Sequence, residues 1–160
     1  MDITIINSSG VSKVDALRRD IRRLRESNNG DEISKILGRM EEMSISNNEI
    51  ALDDLAKINV KDLNLRSKDG VFLVKICVAL NRHTREETLH VLAKDSVKNW
   101  DLSVPTRSIQ QAIIRNKNTS VVTLHYLENN SKYSDIRELA NDIFMDRATN
   151  DTEISDMLRN

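Results

Sequence analysis

The chain has 160 residues, of which 39% are hydrophobic and 31% are charged. This length and composition are typical of one globular domain with a core of its own. The formal net charge of −1 excludes a molecule that binds polyanions over its whole surface, so nucleic-acid binding would require a local basic patch. The single cysteine excludes an internal disulfide.

No stretch of the sequence approaches the ~18 consecutive apolar residues of a membrane span. The first ten residues, MDITIINSSG, lack the charged start and apolar centre of a signal peptide. We therefore expect an intracellular protein that is neither secreted nor inserted in a membrane.

Residues that favour helices dominate the sequence. Proline occurs once and glycine four times, whereas Leu, Ile, Lys, Arg and Glu are frequent. Apolar residues recur at helical spacing from the segment 12–27 to the segment 134–148. The predicted fold is all-α, with about eight helices joined by short polar loops, arranged as a compact bundle or a short right-handed superhelix.

The first predicted helix starts at Ser12, after an N-terminal tail formed by residues 1–11. It ends before Gly30, because glycine is common just beyond helix C-termini. Three more helical segments follow, over 31–43 with Asp31 as N-cap, over 47–57 with Asn47 or Asn48 as N-cap, and over 60–68.

The segment Val71–Asn81 is the most apolar of the chain, and Lys75 is its only charged residue. Since the flanking segments have helical periodicity, we predict a helix here rather than the alternative, a buried strand. This helix is expected to be central and the most buried, with Cys77 as a core thiol. An exposed apolar side would instead indicate an interface between copies of the chain.

The second half of the chain is predicted to contain four more helices. Their start signals are a capping box, a proline in a first turn and two hydroxyl N-caps. Residues 149–160 are predicted to form a polar tail or a last short helix. In chain order, the starts are Thr84 with Glu87, then Pro105, then Thr119 or Ser120, then Ser134, and the last long helix extends to Ala148.

Two stretches, within 32–80 and 87–144, resemble each other at an offset of about 55–65 residues, a period typical of stacked helical units. Alternatively, they share only what any two helical stretches share. We interpret residues 12–148 as one helical domain, with 12–69 and 70–148 as candidate subunits.

Two segments near the C-terminus carry distinctive motifs. Asp135–Ile143 reads DIRELANDI, and Val121–Leu127 reads VVTLHYL. They resemble the last two helices of the N-terminal domain of transcription elongation factor S-II, a family that includes domains of elongin A and of a chromatin-associated growth factor that binds integrase. Leu102–Val104 lies where that family has a linker, and Ile36–Ser46 is similar to the same pattern.

Membership of this family implies a nuclear, non-catalytic module that docks short disordered segments of transcription or chromatin proteins. The chain departs from the family at Asp146 and Arg147, where a Trp-Lys pair is usual. HEAT and armadillo repeats produce a similar helical pattern, so they stay an alternative for the fold.

The sequence contains no motif for catalysis or cofactor binding. It lacks Gly-x-Gly and Gly-Lys-Ser/Thr loops for phosphates, and its three histidines and one cysteine match no metal-ligand spacing. Adjacent acids such as Glu41 and Glu42 splay apart on a helix, so a two-acid active site would have to be assembled by folding. We expect no catalytic residues, no cofactor and no metal.

The first predicted helix carries a basic run. Arg18, Arg22 and Arg25 share one helical face, with Arg19 and Arg23 beside them. Such a stripe binds phosphates or an acidic protein segment, and arginine suits bidentate contacts with both. Alternatively, it is a solvated face whose arginines pair with acids elsewhere in the protein.

Three functional hypotheses follow from the sequence. The first is a non-catalytic helical module that docks a short disordered or acidic protein segment, and the family resemblance implies a role in transcription or chromatin. The second is a small nucleic-acid-binding protein, such as a viral or phage regulator, that uses the arginine-rich helix. The third is an enzyme with an acid site assembled by folding. The oligomeric state stays open.

Overall fold

The computed structural model describes the backbone of residues 2–100 and 104–150 and the side chains of residues 13–100 and 105–149. Over this part the protein contains eight helices and no strand, which confirms the predicted all-α class. In chain order these are α1 (Asp2–Glu26), α2 (Gly30–Ser44), α3 (Glu49–Ala56), α4 (Leu65–Leu80), α5 (Glu86–Lys98), α6 (Val104–Arg115), α7 (Val121–Asn130) and α8 (Ser134–Asn150). Within the same ranges, none of the helices has the length and apolar character needed to cross a membrane.

Asparagine side chains cap three of the helices in the first half. Asn29, Asn48 and Asn64 accept hydrogen bonds from backbone amides in the first turns of α2, α3 and α4. Only Asn48 is a predicted cap, since Asn29 takes the position assigned to Asp31. Because Asn64 starts α4 at Leu65, the predicted separate helix over 60–68 does not form.

The glycines mark helix ends only in part in this chain. Helix α1 ends before Gly30 as predicted, although Gly30 is also the first residue of α2, and Gly70 lies inside α4. Helix α1 itself begins at Asp2, ten residues before the predicted start at Ser12. The predicted linker residues 102–103 and the tail residues 151–160 lie outside the described residues.

Three of the four predicted starts in the second half are confirmed, including Ser134 at the beginning of α8, and one is wrong. Ser120 caps α7 by accepting a hydrogen bond from the Thr123 amide, and Pro105 lies in the first turn of α6. Arg85, and not Thr84, is the N-cap of α5, and its side chain makes no capping hydrogen bond. The Thr84 hydroxyl instead donates to the Val78 carbonyl at 2.6 Å, which satisfies an end of α4.

The chain divides into two units, Met1–Thr84 and Arg85–Asn160. Unit 1 contains α1 to α4, and unit 2 contains α5 to α8. The boundary between 69 and 70 that we expected for two subunits therefore falls inside α4.

In unit 1, helices α2 and α4 pack side by side and run parallel. Near their N-terminal ends, Arg66 Nη2 donates to Ser34 Oγ at 3.0 Å. Near their C-terminal ends, Asn81 Nδ2 donates to the Ser44 carbonyl at 2.9 Å and to the Ser46 carbonyl at 2.7 Å. Since the N-terminal ends contact each other and the C-terminal ends contact each other, α2 and α4 lie in nearly the same register along their lengths.

In unit 2, helices α5 and α7 are likewise parallel. His90, near the start of α5, has its Nδ1 atom 2.7 Å from Thr123 Oγ1, near the start of α7. At the other end, buried Gln110 of α6 donates to Ser96 Oγ at 3.0 Å and accepts from Ser131 Oγ at 2.7 Å. Parallel packing of alternate helices is the arrangement that helix-pair repeats produce.

A repeat of 35 residues underlies this arrangement. The segment Thr88–Leu92, with the sequence TLHVL, recurs as Thr123–Leu127, with the sequence TLHYL. Three more residues recur at the same spacing of 35 positions, and these pairs are Asn81 and Asn116, Thr84 and Thr119, and Ser96 and Ser131. The repeat is thus shorter than the expected offset.

The turns in the repeat share their hydrogen bonds as well as their sequence. Asn81 Oδ1 accepts from the His83 amide at 2.8 Å, and Asn116 Oδ1 accepts from the Asn118 amide at 2.9 Å. The hydroxyl of Thr119 donates to the Ile113 carbonyl just as that of Thr84 donates to Val78. Helices α4 and α5 therefore correspond to α6 and α7.

Buried positions coincide between these two copies. A shift of 35 positions places five buried residues of α4 on five buried residues of α6. The pairs are Val71 and Thr106, Val74 and Ile109, Lys75 and Gln110, Val78 and Ile113, and Ala79 and Ile114. The repeat is therefore a repeat of core positions.

Candidate functional site

An open groove lies in unit 1 where α2 and α4 end. Its volume is about 380 Å³. The side chain of Ile45 is 75% exposed and that of Leu80 is 63% exposed. Clustered exposed apolar side chains are a sign of an interaction site, whereas isolated ones are ordinary. The lining residues are Ser44, Ile45, Cys77, Leu80, Asn81, Arg82 and His83.

The Asn81 amide fixes the shape of this groove. Its nitrogen donates to the last carbonyl of α2, at Ser44, and to the Ser46 carbonyl in the turn that follows, and its oxygen accepts from the His83 amide. The half-buried Asn81 side chain therefore joins α2 to α4. It also fixes the conformation of the turn that carries Arg82 and His83. Arg82 Nε donates to His83 Nε2 at 3.3 Å, so the two side chains are held together at the groove.

The exposed apolar surface continues from the groove along α4. Leu73 is 57% exposed, and it lies on the same helical face as Cys77 and Leu80 because these residues are four and seven positions apart. The prediction that this helix is central and buried holds for one side only, where Val71 and Val78 are covered. Cys77 is half-buried at the groove, so it is not the core thiol that we expected.

Gly38 leaves open space on the exposed side of α2. It is exposed, and a Cβ atom at this position would meet no heavy atom within 4 Å. Since α2 and α4 are parallel and in register, Gly38 lies at about the level of Leu73. The mid-helix glycine costs about 1 kcal/mol of helix stability relative to alanine. Nothing inside the described fold requires its small size.

The arginine-rich face predicted from the sequence lies on α1. Arg18 Nε donates to Asp54 Oδ2 of α3 at 2.8 Å, and this hydrogen bond and charge raise the pKa of the Arg18 guanidinium. The other four members, Arg19, Arg22, Arg23 and Arg25, are exposed, and their side chains pair with none of the described residues.

Asp20, the acidic residue within this stretch of α1, forms a salt bridge with a residue of α2. Arg39 of α2 binds both of its carboxylate oxygens at 2.8 Å, and this bidentate contact raises the pKa of the Arg39 guanidinium. Because Asp20 faces Arg39, it does not neutralise the four exposed arginines. Of the five arginines, only Arg18 therefore has an acidic partner among the described residues, and the other four extend into solvent.

A chain of hydroxyl and imidazole groups lies at the start of α7. Thr123 Oγ1 is within hydrogen-bond distance of His90 Nδ1 at 2.7 Å and of Ser120 Oγ at 3.0 Å. Burial, followed by the charge of Lys94, lowers the pKa of His90. Thr123 is fully buried and Ser120 accepts the Thr123 amide as an N-cap, so this chain holds α7 in place.

The other two histidines lie apart from each other. His83 stands at the groove, and His125 lies 3.6 Å from Glu128 and beside the ring of Phe144. Among the residues that the structure describes, no three His, Cys, Asp or Glu side chains come together as metal ligands.

Comparisons with protein-family models, with curated proteins and with solved structures gave no match. The functional interpretation therefore depends on the surfaces of this chain and on its sequence motifs.

Proposed function

We propose that this protein is a non-catalytic helical-repeat module that docks a short segment of a partner protein. The observation that carries the proposal is the exposed apolar surface of unit 1, formed by Ile45 and Leu80 at the groove and by Leu73 on the face of α4 that leads to it. The 35-residue repeat supports it, because helix-pair repeats present continuous surfaces that commonly bind extended or helical segments.

The proposal extends to the setting in which the module acts. The motifs DIRELANDI and VVTLHYL, which resemble the elongation-factor domain, lie in α8 and α7. This resemblance supports a partner from the transcription or chromatin machinery and, with it, a nuclear location.

Selection from a random peptide library tests the docking function directly. With the full-length chain as target and phage-displayed 12-residue peptides as the pool, we expect enrichment of related sequences that bind saturably with one-to-one stoichiometry. Isothermal titration of synthetic copies measures that stoichiometry. A pool that converges on no saturable binder contradicts the proposed function.

The exposed arginines of α1 favour a second candidate function, nucleic-acid binding. Arg19, Arg22, Arg23 and Arg25 follow one another within about 9 Å along the helix axis, at 1.5 Å per residue. Four guanidinium groups without a protein partner in the described region suit contacts with successive phosphates.

Charge reversal on α1 tests this second candidate. If it is correct, fluorescence anisotropy with a 16-base-pair DNA duplex should show binding that weakens as salt rises. Arg19→Glu, Arg22→Glu and Arg23→Glu together should abolish it. The control reverses Lys61, Lys98 and Lys117, three exposed lysines, and changes net charge equally. Equal loss in both triple variants contradicts a specific role for α1.

A further inference from the structure

We propose that the groove of unit 1 takes an amphipathic helical segment that carries large apolar side chains and a carboxylate next to them. This inference rests on the proposed function and adds where the partner binds and what chemistry it presents. The groove and the exposed face of α4 that leads to it form one surface, which Ile45, Leu73, Cys77 and Leu80 make apolar.

The spacing of these side chains argues for a helical partner. Leu73 and Leu80 lie seven residues apart on α4, which corresponds to about 10 Å along the axis. An amphipathic helix presents its apolar residues at positions i, i+3 or i+4, and i+7 over the same length. The open space at Gly38 lets a partner backbone approach α2 closely.

The charges at the groove argue for an acidic partner. Arg82 and His83 line it, and none of its described lining residues is a carboxylate. Both residues are exposed, in a turn that Asn81 holds in place. A carboxylate on the partner would complement the charge of Arg82, whereas a partner lysine there would be repelled.

The size of the surface argues for a short segment and against a second copy of the chain. Seven residues line the groove, and its volume of about 380 Å³ accommodates only a few side chains. A stable interface between folded proteins requires about 20–30 residues on each side. A segment that inserts a few apolar anchors requires much less area.

Peptides from the library selection test the chemistry of the partner. Enriched sequences should carry apolar residues at helical spacing, with Asp or Glu beside them. A copy of the best peptide in which these acids are replaced by Lys should bind at least about tenfold more weakly. Equal binding of the lysine copy overturns the charge assignment.

Variants of the chain test the location. The double substitution Leu73→Glu and Leu80→Glu should weaken peptide binding at least about tenfold, whereas Val122→Glu should leave it unchanged. Val122 is a matched control because it is an exposed aliphatic residue, 65% accessible, on α7 of unit 2. Circular dichroism and urea unfolding establish that each variant is folded.

The charge is tested in the same way. Arg82→Glu should weaken binding about fivefold or more. Lys117→Glu, at the position 35 residues further in the repeat and also exposed, should not. Selected peptides that bind all variants equally would overturn this inference while leaving the proposed function intact. A wild-type dimer that Leu80→Glu converts to a monomer would also overturn it, in favour of a second copy.

Discussion

Replacement of Lys75 is expected to cause a large loss of stability. The side chain is completely buried, and its Nζ atom donates to the Ala56 carbonyl at 2.6 Å and the Leu55 carbonyl at 3.3 Å. Both carbonyls lie in the last turn of α3, where backbone donors are few and a cation is favoured; the Leu55 carbonyl accepts only weakly from the backbone, with the Ile58 amide at 3.4 Å. Lys75 therefore joins α4 to the end of α3.

Two substitutions separate the contribution of these hydrogen bonds from that of packing. Lys75→Met keeps most of the volume and should lower the free energy of unfolding by about 1–3 kcal/mol, because two buried carbonyls lose a donor. Lys75→Ala adds a cavity and should lower it by about 4 kcal/mol. Urea unfolding measures both.

The repeat supplies an internal comparison for Lys75→Met. Met40 lies 35 residues before Lys75 and is also completely buried. A methionine side chain is therefore accommodated at the equivalent core position of the preceding helix pair. The control Lys61→Met lies on the surface and should change stability by less than about 0.5 kcal/mol. A Lys75→Met protein as stable as the wild type would show that the bonds to α3 contribute nothing.

The same substitution at two helical glycines is expected to have opposite effects. Gly38→Ala should raise the free energy of unfolding by about 1 kcal/mol, because alanine favours helices and its Cβ meets nothing within 4 Å. At Gly70, a Cβ would lie 2.5 Å from Leu37 Cδ1 and 2.8 Å from Cδ2. Leu37 must therefore move, and Gly70→Ala should lower stability by about 1–2 kcal/mol after the helix gain.

The two alanine variants are each other's control, since residue type, helix context and method are identical. Thermal unfolding should place their midpoints on opposite sides of the wild type. If both variants gain stability, the Leu37 side chain packs less closely against Gly70 than the distances of 2.5 and 2.8 Å indicate. If Gly38→Ala loses stability, the space beside α2 is occupied in the free protein.

The all-α class was predictable because helical spacing of apolar residues recurs in many segments, so an error in the position of any one helix does not change the class. The starts of individual helices were less predictable. Asn48 and Ser120 each compete with one adjacent capping residue, Asn47 and Thr119, so the predicted start is accurate to one position. Before α2, by contrast, three residues offer a side-chain oxygen within four positions, namely Asn28, Asn29 and Asp31. The sequence around Thr84 is typical of an N-cap, but its hydroxyl donates a hydrogen bond to the Val78 carbonyl at the C-terminal end of the preceding helix, α4.

The repeat was readable from the sequence at the correct period. The two TLHxL segments and the paired Asn and Thr residues before them share a spacing of 35 positions. Matching longer apolar stretches obscured this, because residues 60–64 form a turn while 121–127 lie in α7. Polar residues with fixed roles in turns were the better guide.

The candidate groove was the least predictable feature. The apolar run from Val71 to Leu80 suggested a helix buried on most sides, and sequence alone does not tell how many neighbours cover it. In the fold, α4 is covered on one side, and its other side exposes Leu73 and Leu80. The arginine face of α1 was predictable from helical spacing, but the use of Arg18 by Asp54 was not.

Cys77 offers the most direct measurement of groove occupancy, because it is the only cysteine in the sequence and it lines the groove. The rate at which its thiol reacts with a disulfide reagent depends on access to the half-buried side chain. We predict that a selected peptide slows this reaction in proportion to its binding. A thiol reaction whose rate stays the same at saturating peptide would contradict docking in this groove.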